Sequence, residues 1–285
     1  MRTAFVFVCA LFAGLSVPDL SPALPVNAIA VDVDSQPQRA PVVMMLGGSE
    51  GGRFGAAHPM TVSLREAGFH VVRVAYFGAP GTPRHLDRVA LDPFDDLIAA
   101  LAADPAVDAR CLFVVGASKG GELALLLAAD NPRLTAVAAL VPSHVVFQSS
   151  RITPRRQSSW RRGDVPLAFV PYPVLNVATL RGVLGLSGYR DMHMRALQDE
   201  NAVAAAAIPV ERIEAPLFLA YAPDDRVWPS DIMVPAIARR LAGAGRPAPQ
   251  IHAAPDHFVL NHRDSRAAVL GFLTAQAGSL GCLNG

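Results

Sequence analysis

Residues 111–128 read CLFVVGASKGGELALLLA, and this stretch decides the fold. Its first part, 112–115, is a short apolar and β-branched run that predicts a buried strand. From Lys119 onward the residues are mostly Ala and Leu, which favour a helix. Between the two lies a Gly-x-Ser-x-Gly pattern centred on Ser118, so the sequence predicts a sharp strand-to-helix turn around one serine.

A turn of this kind exposes its serine at the top of a sheet. The flanking glycines Gly116 and Gly120 permit the tight backbone path, and the helix start places free N–H groups beside the hydroxyl. This is the nucleophile elbow of the α/β-hydrolase fold, with Ser118 as the attacking residue. The alternative is an ordinary strand–helix turn with an incidental serine.

Composition limits the possible functions. The chain has 285 residues, of which 52% are hydrophobic and 17% charged, as in a globular domain with a sizeable core. A formal net charge of +1 argues against a nucleic-acid partner. Three cysteines without Cys-x-x-Cys spacing argue against a zinc ribbon, and we expect neither a metal nor a cofactor.

The N-terminus has the pattern of an export signal. One positive charge at Arg2 precedes an apolar run over 4–15, which is short for a membrane span. A small-residue site would allow cleavage after Ala28, leaving a catalytic domain over 29–285 with no stable membrane span. We therefore expect a periplasmic or secreted protein; the alternatives are an uncleaved anchor and a wrongly chosen start codon.

Strands and helices alternate along the rest of the chain. This alternation predicts a mostly parallel sheet with helices on both faces and an edge strand near 29–33. It breaks between about 143 and 208, which predicts an inserted lid over the carboxyl ends of the strands. Cys111, at a strand start, is expected to be a buried thiol, although pairing with Cys282 is open.

A serine nucleophile needs a base and an acid, which follow it along the chain in this fold. The loop after the predicted strand 215–221 carries Asp224 and Asp225. Asp225 is preferred as the acid because it has the expected spacing to Pro229. The alternative is that both carboxylates only cap the following helix.

Three histidines follow the acid, and His257 is preferred as the base. It lies in the loop after the last predicted strand, whereas His252 falls within that strand and His262 starts the last helix. A loop histidine can equally be a solvated surface residue. Its position relative to Ser118 and Asp225 favours the catalytic interpretation.

An acyl-transfer site also needs two N–H donors for the oxyanion. One is expected from the backbone of Lys119, directly after the nucleophile. The other is expected from Gly48 or Ser49 in the glycine loop over 47–52. The loop lacks a phosphate-binding pattern, and Glu50 would repel phosphate.

Three stretches carry a resemblance to a known family. They are VAYFG at 74–78, GASKGGE at 116–122 and DDRVWPS at 224–230. Together they resemble the C-terminal catalytic domain of acyl-CoA thioesterases and bile acid-CoA:amino acid N-acyltransferases, over roughly 41–275. The resemblance implies an acyl-enzyme mechanism on thioesters, with Ser118, Asp225 and His257 at the triad positions. A serine nucleophile resembles the hydrolase branch, since the amino-acid transferases tend to use cysteine.

The lid segment supplies the remaining candidates. Arg155, Arg156 and Trp160 are predicted to bind substrate, because arginines suit the phosphates of CoA; a solvated surface is the alternative. The sequence thus predicts a serine hydrolase whose partner is a small acyl ester or thioester. An acyltransferase and a non-catalytic binding protein on the same fold are the alternatives.

Overall fold

The computed structural model describes residues 29–51, 54–149, 156–173 and 189–283. Within these residues, the strands of the central sheet are β1 Ala30–Asp34, β2 Ala40–Leu46, β3 His70–Ala75, β5 Val107–Ala117, β6 Leu134–Leu140, β9 Leu217–Tyr221 and β10 Gln250–Ala253. Their order across the sheet is β1-β3-β2-β5-β6-β9-β10. Only β1 runs antiparallel to its neighbour, so the predicted mostly parallel sheet is confirmed.

The helices connect these strands. Their bounds are α1 Pro59–Glu66, α2 Asp92–Ala103, α3 Lys119–Asp130, α4 Arg190–Ala196, α5 Glu200–Ala205, α6 Ser230–Gly243 and α7 Arg263–Ser279, with short 3₁₀ turns at Val210–Arg212 and Val259–Asn261. Three short strands, β4 Val89–Ala90, β7 Trp160–Arg162 and β8 Val165–Pro166, form a separate small sheet.

The apolar run in β2 shows why the sheet is covered on both faces. Val42, Met44 and Leu46 pack into one buried cluster, together with residues of α2, α3 and α6. Val43 and Met45 point to the other side, into a cluster with residues of α1 and α7. Because both faces are buried, the strand is continuously apolar rather than alternating.

The chain leaves the sheet between β6 and β9, in the segment predicted as a lid over 143–208. Residues 150–155 and 174–188 of this segment lie outside the described residues, as does the predicted signal peptide over 1–28. Phe147, Tyr172 and Met192 from the described part pack with Trp228, beyond the end of β9, in a third buried cluster. The described part of the segment therefore lies at the carboxyl ends of the strands, and its action as a lid stays a prediction.

A disulfide joins Cys111 in β5 to Cys282, which follows α7. The expectation of a free buried thiol at Cys111 is therefore wrong. The helix α7 packs against the sheet face on which Cys111 lies, and this brings the two sulfur atoms together. In the part of the chain that the structure describes, no helix is both long and apolar enough to cross a bilayer.

Candidate active site

Ser118 stands between the last residue of β5 and the first residue of α3. Its φ of 55° and ψ of −117° are rare for a residue other than glycine, so the backbone is strained here. Close packing holds this conformation. A Cβ on Gly116 would collide with the Gly120 carbonyl, and one on Gly120 would collide with the Leu46 carbonyl. The turn therefore requires both glycines of the motif.

Asp225 follows β9 and is buried, whereas the adjacent Asp224 is exposed. The Asp225 carboxylate accepts hydrogen bonds from His257 Nδ1 at 2.9 Å and 3.0 Å, from the Ser230 hydroxyl at 2.8 Å and from the Val227 N–H at 2.9 Å. Burial would raise the pKa of this carboxyl, but these hydrogen bonds outweigh burial and hold the pKa below its ordinary value. Asp225 therefore stays ionised and orients the imidazole.

His257 lies in the loop after β10, where the sequence predicted the base. Because its Nδ1 donates to Asp225, its Nε2 is left as the acceptor that a general base requires. His257 and Ser118 line the same cavity, of about 280 Å³, although no direct hydrogen bond joins them within the described residues. The other two candidates are engaged elsewhere, with His252 bonded to Ser265 and His262 beside Asp256.

The glycine loop that was predicted to supply an N–H donor from Gly48 or Ser49 lies against the turn at Ser118, but one of the two donors is already used. A Cβ on Gly48 would stand 3.2 Å from Cβ of Ser118, so the loop approaches Ser118 closely. However, the Gly48 N–H donates to the Glu50 carboxylate at 3.1 Å, which corrects the expectation that this donor is available. Gly48 could serve an oxyanion only after Glu50 moves, whereas Ser49 lines a cavity together with Ser118 and Lys119.

A buried ion pair underlies the elbow, and sequence reasoning missed it. Lys119 Nζ donates to both carboxylate oxygens of Glu122, at 2.9 Å and 3.0 Å, and to the Ser159 hydroxyl at 2.9 Å. Burial lowers the pKa of Lys119 and raises that of Glu122, and each shift is opposed by the partner's charge. The sequence carried a signal for this pair, because Lys119 and Glu122 are three residues apart and the following residues up to 129 are all apolar.

Trp160 is not a substrate-binding residue in this structure, which corrects the prediction. Its side chain is fully buried, and its indole N–H donates to Glu122 at 2.7 Å. Burial of the large indole ring is favourable because its one polar group, the N–H, has a hydrogen-bond acceptor in Glu122.

The predicted arginines are only partly described. Arg155 lies outside the described residues, and Arg156 is exposed. The neighbouring Arg162 is held by the carboxylates of Asp95 and Asp130. These ion pairs leave Arg162 committed to the protein's own acids rather than to phosphate.

A second cavity, of about 260 Å³, lies on another side of Ser118. Its walls include Tyr172, Met192, His193 and Trp228. Ser118 thus lines both an aromatic-walled cavity and the cavity that His257 lines. Within the described ranges, no three His, Cys, Asp or Glu side chains are grouped to hold a metal ion.

The sequence of this chain matches a family of known proteins. The family model described as "BAAT / Acyl-CoA thioester hydrolase C terminal" matches residues 89–257, which include Ser118, Asp225 and His257. The chain belongs to this family. The predicted resemblance is therefore confirmed over more than half of the sequence.

Curated relatives of this BAAT-type domain are thioesterases. Acyl-coenzyme A thioesterase 6 of Mus musculus is 28% identical over 189 residues, covering 65% of this chain and 40% of the relative. Acyl-coenzyme A thioesterase 1 of Homo sapiens is 26% identical over 200 residues, covering 69% and 44%. The chain thus spans about two fifths of the length of the curated relatives it matches.

Solved structures similar to this BAAT-type domain have the α/β-hydrolase fold. A carboxylesterase of Nitrososphaera gargenis superposes with a TM-score of 0.57 at 14% identity, covering 91% of this chain and 98% of that chain. A monoacylglycerol lipase of Paleococcus ferrophilus gives 0.54 at 18% identity, covering 87% and 99%. At such identities the likeness establishes the fold alone, and the predicted α/β-hydrolase fold is confirmed.

Proposed function

We propose that this protein is a serine hydrolase that cleaves acyl thioesters and esters through an acyl-enzyme on Ser118. The observation that carries the proposal is the Asp225–His257 hydrogen bond at the cavity that Ser118 also lines. Nucleophile, base and acid follow in the order expected of the fold. Family membership supports an acyl substrate.

The proposed reaction has two half-reactions. His257 Nε2 takes the proton from Ser118 as its hydroxyl oxygen attacks the acyl carbon, and Asp225 stabilises the resulting imidazolium. The Lys119 N–H and a donor of the glycine loop stabilise the oxyanion. Collapse of the intermediate passes the proton from His257 to the leaving thiol or alcohol. A water molecule then repeats the sequence on the acyl-enzyme and releases the acid.

Thioesters are proposed because the curated relatives are named acyl-coenzyme A thioesterases. The leaving group is proposed to be small rather than CoA. Arg162 is paired with Asp95 and Asp130, so its guanidinium is not free to bind CoA phosphates.

We place the mature enzyme in the periplasm or outside the cell, and CoA esters are scarce in both compartments. The apolar run over 4–15 supports export, and the Cys111–Cys282 disulfide suits an oxidising compartment. Expression of the full chain in a Gram-negative host should yield a periplasmic protein that begins at Ile29. A cytoplasmic product that retains residues 1–28 would contradict export.

A matched substrate panel tests the function. One acyl group is offered on CoA, on N-acetylcysteamine and as an ethyl ester, with purified mature protein. We expect the two thioesters to be cleaved with kcat/KM values within about tenfold of each other, because remote binding energy from a CoA handle is lacking. A large preference for CoA that Arg156→Ala abolishes would contradict the small leaving group. Transfer to an added amine in preference to water would indicate an acyltransferase.

A further inference from the structure

The cavity beside Ser118 has a rigid aromatic wall. Phe147 lies behind the wall and stacks on Tyr172 with ring centroids 5.8 Å apart at 21°. It also meets His193 edge-on at 4.9 Å and Trp228 at 6.0 Å. The Trp228 indole N–H is fixed by the Val141 carbonyl at 2.9 Å. Flat surfaces held in this way suit a planar group better than a flexible chain.

One polar pair interrupts this wall. His193 Nδ1 lies 2.9 Å from the Tyr189 carbonyl, and since a carbonyl only accepts, Nδ1 carries the hydrogen. Nε2 is then an acceptor, and the Tyr172 hydroxyl donates to it at 3.3 Å. Burial lowers the pKa of His193 to about 4, so the ring is neutral near pH 7.

Both members of the pair line the cavity, and the Tyr172 oxygen has unused acceptor capacity. This oxygen can accept a hydrogen bond while its own hydrogen is donated. A substrate hydroxyl that reaches this point would donate to the Tyr172 oxygen, while the Tyr172 hydroxyl keeps its bond to His193 Nε2. The volume of about 260 Å³ is below that typical of pockets for larger ligands, which favours a compact acyl group.

We infer that this cavity is the acyl site and that it selects a planar aromatic acyl group bearing a ring hydroxyl, which the Tyr172–His193 pair recognises. The inference rests on the proposed acyl-enzyme at Ser118. The preference for a hydroxylated over an unsubstituted aromatic acyl group should be moderate, because Tyr172 and His193 remain hydrogen-bonded to each other when no substrate hydroxyl is present.

The test uses N-acetylcysteamine thioesters of 3- and 4-hydroxybenzoate, benzoate and hexanoate with the mature protein. We expect the better hydroxybenzoyl isomer to exceed benzoyl by about tenfold in kcat/KM, with both above hexanoyl. Tyr172→Phe should bring the ratio of hydroxybenzoyl to benzoyl close to one. Tyr221→Phe, a matched change in β9, should leave the ratio as in the wild type.

The outcomes separate the inference from the function on which it rests. Cleavage of all the thioesters without an aromatic or hydroxyl preference would overturn the inference and leave the hydrolase proposal standing. If none of the thioesters is cleaved, both the inference and the hydrolase proposal are contradicted. In case Tyr172→Phe fails to fold, binding of 3-hydroxybenzoate, 4-hydroxybenzoate and benzoate to Ser118→Ala is measured by calorimetry. Equal affinity for all three acids would also overturn the inference.

Discussion

Lys119 and Glu122 form an ion pair at the start of α3 in which the side chains are 3% and 0% exposed. Lys119 follows the candidate nucleophile directly, and Glu122 also accepts the indole N–H of Trp160. The pair therefore links α3 to β7 through the Trp160 side chain. Both β7 and Phe147 belong to the segment between β6 and β9 that was predicted as a lid.

Removing one member of this pair should lower the free energy of unfolding strongly. Lys119→Met keeps the backbone N–H proposed for the oxyanion but leaves the Glu122 carboxylate buried without its cation. We expect a loss of about 3–5 kcal/mol in the free energy of unfolding, measured by urea denaturation. Lys119→Met combined with Glu122→Gln should recover part of that loss. If Lys119→Met alone is as stable as the wild type, Lys119 and Glu122 do not form a buried ion pair.

The two adjacent aspartates should differ sharply in their effect on catalysis. Asp225→Asn removes the carboxylate that orients His257 and should lower kcat by about 10⁴-fold. Asp224→Asn is the matched control at an exposed position and should change kcat by little. If Asp224→Asn is the more damaging change, the acid is misassigned.

Acid should destabilise the fold through the buried His193 and the partly buried His144. Burial lowers the pKa values of His144 and His193 to about 4, whereas an unfolded histidine titrates near 6.5. Between these values the unfolded state binds more protons, so stability falls as the pH drops through that window. Each histidine contributes up to about 1.4 kcal/mol per pH unit.

His193→Gln and His144→Gln separate the two contributions. Each variant should reduce the slope of unfolding free energy against pH between about 6.5 and 4, and the double variant should reduce it further. The depressed pKa of Asp225 acts at lower pH, where its stabilisation is lost as the carboxylate protonates. Unchanged slopes in all three variants would refute the assignment.

The disulfide should stabilise the mature chain. Cys111 and Cys282 are separated by 171 positions, so the bond closes a long loop. Cys282→Ser should lower the free energy of unfolding by about 2–4 kcal/mol and make the melting temperature insensitive to dithiothreitol. Free thiols in the oxidised wild-type protein, detected by alkylation and mass spectrometry, would contradict the bond.

Much of this fold could be predicted from local pattern. The run over 41–46 is continuously apolar because both faces of β2 are buried, and it forms a strand as expected. Gly116 has a local cause, because a Cβ there would meet the Gly120 carbonyl, whereas Gly120 is also required by the close approach of the Leu46 carbonyl in β2. The sequence also predicted that the loops with Asp225 and His257 would lie together, and they are hydrogen-bonded. Their catalytic roles stay predictions.

Long-range pairing could not be predicted in the same way. Trp160 contacts Glu122 across 38 positions, and nothing near Trp160 in sequence indicates that its ring is enclosed. Pairing of Cys111 with Cys282 depends on how α7 packs on the sheet. The bond from Gly48 to Glu50 is local, but it depends on a side-chain rotamer that glycine-loop patterns do not specify.

The most direct test of the account is covalent labelling of Ser118. A fluorophosphonate probe should add once to the mature wild-type protein, and peptide mass spectrometry should locate the adduct at Ser118. Ser118→Ala should fold, remain unlabelled and lose turnover by about 10⁶-fold. Labelling or hydrolysis by the Ala variant at the wild-type rate would contradict the proposed nucleophile and the acyl-enzyme mechanism built on it.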